Sequence, residues 1–150
     1  MVIVEKLPAD RHLVHGDVQL KNVMISSGEI VLIDMDKICA GSFLFEFASL
    51  FATYMAFNED EPDNTLRFLG IGEEMAARIY RDTLRFYLRD ADEAAVAEIE
   101  KKIRALGYLR FLTILAIEMK DVNTPLKDLR IRNTAAHLRE LARQIDSFEV

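Results

Sequence analysis

The chain has 150 residues, 51% of them hydrophobic and 29% charged, with a formal net charge of −6. That length suits a single domain, residues 1–150, able to bury roughly 70% of its unfolded surface, and the composition is that of a soluble, well-cored protein. The acidic balance, with a pI near 5.1, argues against a nucleic-acid backbone as a main partner.

In chain order, the first informative stretch is "LVHGDVQLKNVMISSGEIVLIDMD", which runs from Leu13 to Asp36. His15-Gly16-Asp17 reads as a loop, with Gly16 permitting a sharp backbone turn. Residues 22–26 ("NVMIS") and 29–34 ("EIVLID") are apolar and β-branched around Ser27-Gly28, which predicts a hairpin closed by a two-residue turn. From Phe43 the period changes, and Phe47, Leu50, Phe51 and Tyr54 recur at helical spacing. The phenylalanines at 43, 45, 47, 51 and 57 are assigned to the core.

Residues 58–64 ("NEDEPDN") form a polar turn, read as hydrated, although its carboxylates could also face a cationic substrate. A short apolar piece then ends at "GIGEE". This has two glycines of a phosphate-binding loop but neither the third nor a preceding strand, so a helix start is the better reading. On the helix predicted over 73–89, Met75, Ile79, Leu84, Phe86 and Tyr87 make the inward stripe. Asp92 is placed as N-cap of a longer helix carrying Val96, Ile99, Ile103 and Leu106. Gly107 is expected to interrupt or kink that helix before the apolar "YLRFLTILAIEM". Thr124-Pro125 opens a last helix with Ala135, Leu138, Leu141 and Ile145 inward. The fold class is mostly α (α+β), with a loop and β-hairpin (1–36) packed on a bundle of four to five helices (37–150).

The hairpin serves as a ruler. With Ser27-Gly28 at the turn, residue 26 pairs with 29 and residue 22 falls opposite 33. Asn22 and Asp34, twelve positions apart in sequence, then meet at the open end, beside the loop that carries Asp17. An amide oxygen next to carboxylates suits a hard cation such as Mg²⁺, which keeps waters and substrate phosphates in its other positions. The loop aspartate can instead receive a proton from an attacking hydroxyl. Lys21 could reach a phosphate or remain solvated, and His12 and His137 read as surface residues.

"HGDVQLKN" followed by "LIDMD" resembles the signature of the aminoglycoside phosphotransferase and choline kinase-like family, a branch of the protein-kinase-like fold. The resemblance implies that Asp17 is the catalytic aspartate and that Asn22 and Asp34 hold Mg²⁺ on the phosphates of ATP. It further implies that His15 buttresses the loop around Gly16, with Asp36 in a supporting role. A weaker likeness continues through "GSFLFEFASLF", where Glu46 stands at a position the family fills with aspartate. The implied activity is transfer of the γ-phosphoryl group to a hydroxyl of an aminoglycoside-like, choline-like or other small substrate, itself cationic in some members.

A kinase also needs a glycine-rich loop and a strand-borne lysine over the nucleotide, and none can be named here. The chain therefore reads as a C-terminal lobe without its N-terminal lobe, expected to turn over little by itself. It is also expected to self-associate through surface that such a lobe covers. A non-catalytic kinase-like binding or assembly module is the alternative. A carboxylate metal site for phosphoester hydrolysis is a third, short of ligands.

Cys39 is the only cysteine, so no disulfide forms within the chain and a reducing, cytoplasmic setting is expected. The opening "MVIVEKLPADRH" is too short and too charged for a signal peptide. The longest apolar stretch, 40–57, is interrupted by Glu46 and falls short of the about 20 apolar residues that favour a membrane span.

Overall fold

The computed structural model describes residues 12–148; the opening residues discussed above lie outside that range. Two small antiparallel sheets precede a helical body. Strand β1 (His12–Val14) pairs with β4 (Cys39–Gly41), and β2 (Val23–Ser26) pairs with β3 (Glu29–Leu32). The helices are α1 (Phe43–Phe51), α2 (Phe57–Glu59), α3 (Asn64–Leu69), α4 (Glu73–Tyr87), α5 (Glu93–Thr113) and α6 (Pro125–Leu141). A π-turn (Ala52–Ala56) joins α1 to α2, and a second (Ile114–Glu118) extends α5. No helix among the described residues is long and apolar enough to cross a membrane.

The hairpin has the expected register, with Ser26 opposite Glu29 and Val23 opposite Leu32. Ser27 and Gly28 both take positive φ (52° and 84°), as a turn matched to strand twist requires. One expectation fails: the hairpin does not pack on the helices. Only Val23 in its strands is partly buried, and Ile25 and Ile30 are 79% and 75% exposed. The loop at 15–20, rather than the hairpin, docks on the helical body. The strand pair β1–β4, absent from the sequence reading, closes the base of this front unit and carries it to Gly41.

The core forms where α1 and α5 cross. Leu44, Phe47, Phe51, Ile103, Tyr108, Phe111 and Leu115 are all buried, and each large apolar side chain so buried contributes about 1.5–3 kcal/mol. Gly107 does not interrupt α5, contrary to expectation, and the helix runs unbroken from Glu93 to Thr113. A Cβ there would lie 2.5 Å from Cδ1 of Phe51 and 3.2 Å from the carbonyl oxygen of Ala48, so the missing side chain lets the two helices approach. Helix α5 starts as expected, with the Asp92 carboxylate accepting from the Ala95 N–H at 2.8 Å. Thr124 caps α6 in the same way, ahead of Pro125.

The face of α4 differs in part. Leu84 is buried and Ile79 packs against the core as expected, joined by Ala76 and Tyr80, whereas Met75 and Phe86 are exposed. Tyr87 is half exposed, yet its ring packs 5.0 Å from Phe43 and 5.2 Å from Phe47. The small Ala76 allows α4 close to the body, and the larger residues at its flanks made the outer part of the stripe look stronger than it is. Phe45 likewise lies outside the core, at 37% exposure.

The acidic turn stays largely accessible, with Glu59, Pro62 and Asp63 exposed, but three of its carboxylates are engaged by side chains of the helical body. Tyr108 donates to Glu59 (2.6 Å), Asn133 to Asp60 (2.6 Å), and the buried Arg130 to Glu61 (2.8 Å) and to the Phe57 carbonyl (3.2 Å). Arg67 also pairs with Glu61. The Glu61 carboxyl is held below its ordinary range, first by the hydrogen bond from Arg67, with Asn64 and the charge of Arg130 adding. Burial, reinforced by Glu59, raises the Tyr108 phenol. His137 stacks on Tyr108, with centroids 4.9 Å apart. These carboxylates tie the end of α2 to α5 and α6.

Candidate active site

The site is built on the loop from His15 to Asn22. Gly16 has φ 79°, and a Cβ on it would come within 3.2 Å of Lys37 Cβ and 3.3 Å of the Lys37 carbonyl. Both backbone shape and space therefore require glycine. Helix α1 holds this turn from below. One carboxylate oxygen of Glu46 accepts the N–H groups of His15 (2.6 Å) and Gly16 (3.2 Å). The Gly16 carbonyl accepts from Ser49 Oγ (3.1 Å) and from an Arg110 guanidinium nitrogen (3.2 Å). The buried Tyr54, on the π-turn, accepts the Leu20 N–H at 2.9 Å. Burial raises the Tyr54 phenol, and that hydrogen bond opposes the rise.

His15 is buried, and its Nε2 lies 3.0 Å from the Ile33 carbonyl. A ring nitrogen facing a carbonyl must donate, so Nε2 carries a hydrogen. His15 thus links the glycine turn to the end of the hairpin. Asn22 is buried too. Its side-chain nitrogen donates to the Asp17 carbonyl (2.9 Å), and its own carbonyl accepts the Ile33 N–H (2.9 Å). Loop and hairpin are joined at this residue, and the chain passes from Ile33 directly to Asp34. Asp34 sits at φ 64°, ψ 60°, a conformation rare for a non-glycine residue and concentrated at functional sites.

The Asp17 carboxylate lies at the mouth of a cavity of about 270 Å³, whose lining includes Lys37, Thr53, Asn64, Phe68 and Arg110. Lys37 Nζ is 3.0 Å from Asp17 Oδ2, and Gln19 Nε2 approaches Oδ1 at 3.4 Å. Sequence alone does not single out Lys37, although it follows "IDMD" on the short 3₁₀ turn Met35–Lys37. It misses Arg110, Ser49 and Tyr54 as well, since each reaches the loop from a distant helix. Lys21 turns toward the Phe68 ring, 3.8 Å from its centroid. Asp36 is exposed on the 3₁₀ turn. Among the described residues no group of three or more His, Cys, Asp or Glu side chains could hold a metal ion. Any cation here would need the Asn22 amide and ligand oxygens beside the carboxylates.

This loop and its supports other than Arg110 lie within residues 3–80, which match the model of the phosphotransferase enzyme family, APH. No curated protein and no solved structure matches the chain. Just over half of the sequence lies in the family match, including the glycine turn, the hairpin and the helix that carries Glu46. The chain belongs to the phosphotransferase enzyme family.

Proposed function

We propose that this chain is the catalytic, C-terminal lobe of a kinase-like small-molecule phosphotransferase that uses Mg²⁺ and ATP. The observation that carries the reading is the junction at Asn22. Its amide nitrogen is taken by the Asp17 carbonyl, which leaves the amide oxygen as its free end, next to the strand leading to Asp34. An amide oxygen and a carboxylate fit Mg²⁺, which takes oxygen donors and keeps phosphate oxygens and water as its remaining ligands. When bound, the ion would neutralise charge on the phosphates.

In the proposed reaction the acceptor hydroxyl oxygen forms a bond to the γ-phosphorus. The bond from phosphorus to the bridging oxygen breaks, and the nucleoside diphosphate leaves. The hydroxyl proton passes to a carboxylate oxygen of Asp17. Glu46, Ser49, His15 and Arg110 keep the loop in place, so Asp17 reorganises little during transfer, which is where much of the rate gain in such reactions lies.

Calorimetric titration with ATP, with and without Mg²⁺, tests the reading. Asp34→Asn should weaken Mg²⁺-dependent binding by at least about tenfold, with little change in thermal unfolding of the unliganded protein. Equal ATP affinity with and without Mg²⁺ in the unaltered chain would count against the reading.

The hairpin favours a second role, as an assembly element. Ile25, Ile30 and Met24 are exposed to 79%, 75% and 50%, an apolar surface of the kind that drives association. Sedimentation velocity should show self-association that Ile25→Lys with Ile30→Lys reduces. A monomer at every concentration would remove this role.

A further inference from the structure

The chemistry of the acceptor can be taken further, on the basis of the phosphotransferase reading above. A polycationic acceptor needs carboxylates around the base, and the sequence offers an acidic run at 59–63 for that purpose. The fold spends that run elsewhere: Glu59, Asp60 and Glu61 are bonded to Tyr108, Asn133, Arg130 and Arg67. The charged side chain in contact with the Asp17 carboxylate is positive. Lys37 sits on its carboxylate, and Arg110 sits on the carbonyl one residue earlier.

Both cations line the cavity at Asp17. They also line a neighbouring, more apolar hollow of about 450 Å³ together with Val14, Phe45 and Leu109. Among the described residues no carboxylate pairs with Arg110. Its guanidinium has five N–H donors in a planar fork that matches a carboxylate, and a single bond to the Gly16 carbonyl leaves most of them over. Glu118 is the other acid on the cavity wall, roughly 12 Å further along the helix from Arg110 by its rise.

We propose that the acceptor is a small hydroxy acid, its carboxylate bound by Arg110 and Lys37 and its hydroxyl directed at Asp17. Lys37 is half exposed, at 51%, against 17% for Asp17, so its end can move while the carboxylate stays. On binding, the acceptor's carboxylate draws Lys37 away from Asp17 Oδ2 and leaves that oxygen to receive the hydroxyl proton. Lys37 thereby makes the base available only when an anionic acceptor is present. The products are the phosphorylated hydroxy acid and the nucleoside diphosphate.

Glycerate, glycerol and serinol share a hydroxylated three-carbon skeleton and differ in charge, and ligand-observed NMR titration of the whole chain compares them. Glycerate should bind at least about tenfold more tightly than glycerol, through charge-assisted bonds, and serinol should bind weakest. Arg110→Gln, which keeps a donor for Gly16, should bring glycerate to the level of glycerol, and Arg110→Lys should retain part of the preference. Circular dichroism of both variants checks that they fold. Serinol binding as tightly as glycerate, no charge preference at all, or an unchanged preference in Arg110→Gln would overturn the proposal. ATP titrations with Mg²⁺ on the same samples separate the two readings. Metal-dependent ATP binding without the glycerate preference sinks this inference alone. The glycerate preference without ATP binding sinks phosphoryl transfer and leaves a hydroxy-acid site.

Discussion

Glu46→Ala is expected to lower the unfolding free energy by about 2–4 kcal/mol, read from urea denaturation, out of a total that for a domain of this size is about 5–15 kcal/mol. The magnitude follows from what one oxygen does. It accepts two backbone N–H groups, from His15 at 2.6 Å and Gly16 at 3.2 Å, and bonds to an ionised acceptor are roughly twice as strong as neutral ones. His15 is buried, so truncation leaves donors without water to replace the lost partner. The carboxylate also lies in the first turn of α1, where negative charge is favoured by the helix dipole. Alanine is the better helix former, but only by a few tenths of a kcal/mol.

Graded substitutions at this position separate charge from packing. Glu46→Gln keeps an acceptor oxygen and should cost about half as much as alanine. Amide hydrogen exchange adds a local readout, because the His15 and Gly16 protons should lose protection before the core does. A loss below about 0.5 kcal/mol in Glu46→Ala, within the range of ordinary surface changes, would mean that the loop is held without it. Because Asp17 follows Gly16 directly, loosening this anchor should also weaken whatever binds at the cavity.

The parts of this arrangement that are local in sequence could be read from it. Ser27-Gly28 between two β-branched runs sets a register, and register puts Asn22 opposite Ile33 whatever the rest of the chain does. Asp92 and Thr124-Pro125 announce helix starts by the same local chemistry. The pairing of β1 with β4 was not legible, because two three-residue strands far apart in the chain leave no periodic signal. Lys37 shows the same limit. It lies 20 residues from Asp17 in sequence, and its approach depends on the close packing of the 3₁₀ turn against Gly16. The exposure of the acidic turn was legible from its charge, but its partners were not, because Arg130 and Asn133 arrive from α6 to meet it. On α4, the period found Ile79 and Leu84, while side-chain size drew Met75 and Phe86 in ahead of the small Ala76.

Gly107→Ala should destabilise the protein by about 2–3 kcal/mol, although alanine in a helix ordinarily gains about 1 kcal/mol over glycine. The added methyl group would meet Cδ1 of Phe51 at 2.5 Å and the Ala48 carbonyl oxygen at 3.2 Å. Neither neighbour can yield easily. The Phe51 ring is buried and wedged edge-on between Tyr108 (5.0 Å) and Tyr80 (5.8 Å), and the carbonyl belongs to the backbone of α1. Relief therefore requires α1 and α5 to move apart, which opens space throughout the crossing where Leu44, Ile103 and Tyr108 lie. A double-mutant cycle with Phe51→Leu isolates the clash. The smaller side chain costs stability in the native background by leaving a cavity. In the Gly107→Ala background it should cost much less, or restore some stability. Additive effects of the two substitutions would show that the loss arises elsewhere than at this contact. Because Ala48 and Phe51 lie on the same helix as Glu46 and Ser49, helix separation should also shift the anchors under Gly16, so Gly107→Ala is expected to reduce hydrogen-exchange protection of the loop as well as of the core.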